Sequence, residues 1–72
     1  MTKYSVVEYA GKIRTLATYD AHSDAKNHLS DISEQYKKYP EFVAKMKKDG
    51  SLVVRRTSNG DMVAIYQVEV TE

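Results

Sequence analysis

The chain contains no cysteine, so disulfides, thiolate metal sites and thiol catalysis are all excluded. A cysteine-free composition fits a reducing compartment, and the expected setting is the cytoplasm. Three glycines, none framing a serine elbow or a phosphate loop, leave no recognisable catalytic or nucleotide-binding motif. No apolar run approaches the roughly 20 residues that span a bilayer, and the opening MTKYSVVEYAG does not read as a signal peptide. Charge of one sign is missing too: 11 basic against 10 acidic residues leave a formal +1. That balance argues against a mimic of nucleic acid. It also gives little support to a general polyanion binder, whose affinity comes from many cations on phosphates.

What is present describes a small α+β protein. Seventy-two residues make a single domain near the lower limit for folding without staples. The β-branched and aromatic run from Lys3 to Tyr9 reads as a strand, and Lys12 to Asp20 as its return. A two-residue Ala10-Gly11 loop would pair Tyr9 with Lys12 and Val7 with Arg14. Ala25, His28 or Leu29, Ile32 and Tyr36 recur at helical steps, which predicts one main helix with Ser23 as its N-cap and its end near Lys38. Pro40 then disfavours helical geometry at Tyr39.

Propensity and end signals favour a short second helix within residues 40–48, against an extended stretch leading into the next strand. Asn59-Gly60 between two β-rich runs predicts a tight hairpin that pairs Val53 with Tyr66, Val54 with Ile65 and Arg55 with Ala64. The last strand is apolar on both faces and belongs in the middle of the sheet. The expected fold is ββα(α)ββ: an antiparallel sheet of about four strands, built of two hairpins, with helix on one face.

Several candidate chemistries have plainer readings beside them. Arg55 and Arg56 are adjacent on a strand, so they point to opposite faces and cannot cradle one phosphate. The stretch RRTS matches a basophilic kinase pattern at Ser58, but four residues match by chance too often to build on. His22 and His28 stand six apart, where a helical metal pair needs three or four; they read as capping or surface residues, and no metal or cofactor is expected. No nucleophile–base–acid set assembles, and no enzyme activity is expected.

Six tyrosines against the single Phe42 suit half-wet positions, which means either an interface or a shallow core. The lysines around Tyr39 and Phe42 read as a solvated face or as a contact for an acidic partner.

The stretch YSVVEYAGKIRTLATYDAHSDAKNHL, with its strand, Gly-Lys turn, second strand and SDA helix start, resembles small accessory proteins carried by bacteriophages. That resemblance implies a non-enzymatic binder that redirects or blocks a host machine such as RNA polymerase, a nuclease or a CRISPR effector. The expected partner is a larger protein, engaged through Tyr36, Lys38, Tyr39 and Phe42 at the helix end or through Arg55, Arg56 and Tyr66 on the last hairpin. Two alternatives stand. One is a nucleic-acid binder using Tyr9, Lys12, Arg14, Arg55 and Tyr66; the other is a homodimer joined through an edge strand. No membrane association is expected.

Overall fold

Helix formation follows the apolar stripe. In the computed structural model, which describes residues 1–72, helix α1 runs from His22 to Lys37. Ala25 and Leu29 are fully buried, and Ile32 and Tyr36 pack half-buried against the same core. The helix starts one residue before the predicted cap position. Ala21 is the N-cap, Ser23 lies inside the first turn, and the Ala25 N–H closes that turn on the Ala21 carbonyl at 3.4 Å. The His22 ring rests on Tyr4 at a centroid distance of 5.2 Å, a tertiary contact that draws His22 into the helix. At the other end the Tyr39 N–H bonds the Tyr36 carbonyl at 3.0 Å, and Pro40 prevents continuation. This helix is neither long nor apolar enough to cross a membrane.

Five strands surround that helix in sequence: β1 (Lys3–Ala10), β2 (Lys12–Tyr19), β3 (Phe42–Met46), β4 (Leu52–Arg56) and β5 (Met62–Thr71). They form one antiparallel sheet in the order β2-β1-β5-β4-β3, so the last strand is central, as its two apolar faces predict. The helix lies on one face. Under it, Val6, Leu52, Val54, Ala64 and Tyr66 join Ala25 and Leu29 in a single buried cluster.

Three further expectations need correction. Residues 42–46 form strand β3, so the sheet has five strands and there is one helix only. Burial explains the outcome: Phe42 and Ala44 are half-buried under the helix while Val43 and Lys45 are exposed, a period of two. Nucleating a helix is costly in so short a segment, whereas β4 offers a ready ladder through Ala44↔Val54.

The second correction concerns the last hairpin, whose register is one residue away from that of a two-residue Asn-Gly turn. Val53 faces Ile65, Val54 faces Ala64 and Leu52 faces Tyr66. A tight turn of that type needs positive φ at both central residues. Only Gly60 has it, at 72°, while the Asn59 Oδ1 accepts the Asp61 N–H at 3.0 Å. The loop is also tied down from outside: Thr57 donates its N–H to the Glu41 carbonyl and its hydroxyl to the Pro40 carbonyl, each at 3.0 Å.

The first hairpin departs in the same way. Tyr9 faces Ile13 and Glu8 faces Arg14 around Gly11 at φ 81°, and a bulge at Val6/Val7 then brings Val6 opposite Ala17.

Leu29 is the central plug of this two-layer core. Leu29→Ala should lower the unfolding free energy by about 3 kcal/mol. Ile13→Ala, at a site 73% exposed, should change it by less than about 0.5 kcal/mol. Urea denaturation of the two variants measures both.

Candidate functional site

A charged residue sits on the core face of β1. Tyr4, Val6 and Glu8 alternate toward the helix, and Glu8 meets Arg14 across the β1–β2 ladder and Tyr66 across the β1–β5 ladder. Both of its oxygens are engaged. Arg14 Nη2 lies 3.2 Å from Oε1, and the Tyr66 hydroxyl donates to Oε2 at 2.7 Å. Having given its only proton to a carboxylate, the Tyr66 hydroxyl must accept from Tyr36, whose own hydroxyl is 2.9 Å away. The result is a directed relay of donors from α1 through β5 to β1: Tyr36 to Tyr66 to Glu8, with Arg14 closing the far side.

Burial is the main reason that the Tyr66 phenol is pushed far above its usual range, with the bonds to Tyr36 and Glu8 adding to it. Tyr66 therefore stays neutral at any physiological pH and serves as a fixed donor.

This relay floors a groove of about 340 Å³ between the second half of α1 and strands β1 and β2. Leu16 and Ile32 supply apolar wall, Tyr36, Tyr39 and Tyr66 supply aromatic wall, and Glu8, His28, Asp31 and Gln35 supply polar atoms. His28 is held by the Tyr19 hydroxyl, 3.1 Å from its Nδ1, with the two rings edge to face. Tyr36 also packs edge to face on Phe42 at 5.5 Å, and Tyr39 stands beside Phe42 at 6.5 Å with 54% of its surface exposed.

The residues singled out from the sequence are thus divided. Tyr36, Tyr39, Phe42 and Tyr66 converge on one aromatic cluster, with Lys38 at the helix C-cap beside it. Arg56 faces Phe42 across the β3–β4 ladder. Arg55 lies on the opposite face of the sheet, where its guanidinium reaches the Gly60 carbonyl at 3.2 Å.

The set suggested for base stacking does not share a surface. Tyr9 bonds Glu69 and Gln67 on the face away from the helix, Lys12 sits at the first turn, and Arg14 and Tyr66 lie on the helix side. Tyr66 is only 4% exposed. Both hairpin registers cause that division: Arg14 pairs with Glu8 instead of Val7, and Tyr66 with Leu52 instead of Val53.

Glu8, Leu16, Asp31 and Gln35 were not singled out, and His28 was weighed only as a helix-stripe residue and as a metal ligand that its spacing rejects. The alternation Tyr4-Val6-Glu8 was the available signal for Glu8, a carboxylate on an apolar face. The remaining four are brought together only by the docking of α1 on the sheet. Comparison with protein-family models, with curated proteins and with solved structures finds no match to the chain.

Removing the Tyr66 hydroxyl leaves Glu8 and Tyr36 each short of a partner. At pH 7, Tyr66→Phe should destabilise the fold by about 1–3 kcal/mol in urea denaturation. Alkaline pH gives a second reading. Because the phenol titrates higher in the fold than in the unfolded chain, its stabilisation is complete below about pH 10 and is lost as pH rises toward the folded value. From about pH 10 up to that folded value, the wild-type protein should lose about 1.4 kcal/mol per pH unit more than Tyr66→Phe does.

Proposed function

We propose that the chain is a non-catalytic protein-binding domain that acts by occupying a surface on a larger protein, with the α1–β1–β2 groove as its contact site. The observation that carries this reading is exposed Tyr39 standing beside a groove walled by Leu16, Ile32 and Tyr36. Tyrosine buries much area at little entropic cost and keeps a polar tip, which is why it concentrates at the energetic centres of protein interfaces.

The polar atoms in the groove support binding over proton transfer. Both oxygens of Glu8 are already committed, and the Tyr66 phenol holds its proton far too tightly to give it up. Exposed Tyr39 is the natural anchor, since it can enter a partner's pocket without disturbing the core. A partner segment with an apolar or aromatic side chain and a cationic neighbour would match the apolar wall and the carboxylate of Asp31.

An affinity capture from a bacterial lysate, at low and high salt and with and without nuclease, tests this reading. The expected result is one protein retained at high salt after nuclease treatment. Tyr39→Ala should then weaken binding by about 2 kcal/mol, roughly 30-fold, with the fold's stability unchanged. Capture that disappears with nuclease or salt would instead assign the binding to nucleic acid, where phosphate contacts make affinity strongly salt-dependent.

A further inference from the structure

The face of the sheet turned away from α1 carries an apolar row that runs across the strands. Followed through the register, Ile13, Tyr9, Ile65 and Val53 stand side by side on β2, β1, β5 and β4, and Lys45 on β3 ends the row. Ile13 is 73% exposed, and Val43, two residues from Lys45 on the same strand, is 48% exposed. Val7 and Val53 are buried, yet neither belongs to the cluster under the helix. Apolar side chains on this face shelter one another, and no other element of the chain covers them.

Two ions flank the row without ionic partners. Glu69 accepts hydrogen bonds from Tyr9 and Gln67, and Arg55 donates to the Gly60 carbonyl. The ion pairs of the chain are elsewhere, at Lys3–Asp20, Glu8–Arg14 and Lys37–Glu34. Along the strands the two lie on opposite sides of the row. Glu69 is beyond Ile65 and Gln67 on β5, whereas Arg55 pairs with Met62 toward the other end.

We propose that this face is the interface of a homodimer, formed by two sheets stacked about a two-fold axis that runs across the strands. Such an axis lays the apolar row on itself and reverses the strand direction, with exposed Lys45 at the β3 edge reaching into solvent. It therefore carries the Glu69 of one copy toward the Arg55 of the other, twice, which is the self-complementarity that an isologous contact requires.

The area is sufficient. With strands about 4.8 Å apart and about 3.3 Å per residue, the face measures about 20 by 25 Å. Two copies then bury about 1,000 Å², the threshold for a specific interface. Single-stranded RNA is the poorer occupant, because Tyr9 is the lone aromatic in the row and is tied to a carboxylate that repels phosphate. The helices stay outermost in the dimer and the α1 grooves remain open, so the inference does not rest on the binding function of the groove.

Sedimentation equilibrium from micromolar to millimolar protein tests it. The mass should rise from the 8.2 kDa of one chain to twice that value. Ile13→Lys should raise the dissociation constant at least about tenfold, with an unchanged thermal melt of the dilute monomer. Arg55→Glu and Glu69→Arg should each weaken the dimer, and the double reversal should restore it to within about threefold of wild type. A chain that stays monomeric at millimolar concentration overturns the proposal. So does a dimer indifferent to Ile13→Lys, or a mass increase seen only when polyuridine RNA is added.

Discussion

Strand register is the constraint on which the rest of this molecule depends. Side chains alternate along a strand, so a slip of one residue transfers a whole set from one face of the sheet to the other. On β5 that choice decides whether Tyr66 or Ile65 lies under the helix. The observed register puts Tyr66 and Ala64 opposite Leu52 and Val54, where all four meet Leu29 and Ala25. The same choice sends Ile65 and Val53 to the open face. The Thr57–Asp61 connection, pinned to Pro40 and Glu41 ahead of β3, holds it there. A segment far from β5 in sequence thus helps to determine which of its faces is core.

From this register follows the use of tyrosine. One helix over five strands makes a thin core with few dry positions, and a phenylalanine is well suited only to the dry ones. Four of the six tyrosines, Tyr9, Tyr19, Tyr36 and Tyr66, spend their hydroxyls on internal hydrogen bonds. Every buried side-chain nitrogen and oxygen has a partner. For these four the abundance of tyrosine is a solution to packing a half-wet core. Tyr39 is different, being exposed beside Phe42 with its ring lining the groove. Glu8 belongs to the same logic. A carboxylate 18% exposed would be costly if bare, and Arg14 and Tyr66 together compensate it.

Much of this architecture can be read from the residues alone. Ala25, Leu29, Ile32 and Tyr36 announce the helix because their spacing of three and four has no other economical reading. β5 announces its central place by being apolar on both sides, and adjacent Arg55 and Arg56 had to diverge. Other features are beyond local patterns. Phe42 to Met46 is too short for periodicity to separate helix from strand, and the free ladder on β4 decided it. Asn59-Gly60 looked like a two-residue turn, but the Asn59 side chain was taken by the Asp61 N–H and the loop widened. That single residue of slip separated Tyr66 from Arg55 and dissolved the stacking surface that joined them on paper. The groove was legible only in its aromatic half, because His28, Asp31 and Glu8 meet only after α1 docks.

The most direct test of this account is the register itself, read from nuclear Overhauser contacts of the Tyr66 ring in the labelled protein. The structure predicts contacts from that ring to Tyr36 and Leu29 on the helix and to Leu52 across the ladder, with none to Tyr9 or Arg55. Contacts from Tyr66 to Tyr9 or Arg55, with Ile65 taking its place against Leu29, would contradict the account. The relay, the groove and the open apolar face would then all have to be reassigned.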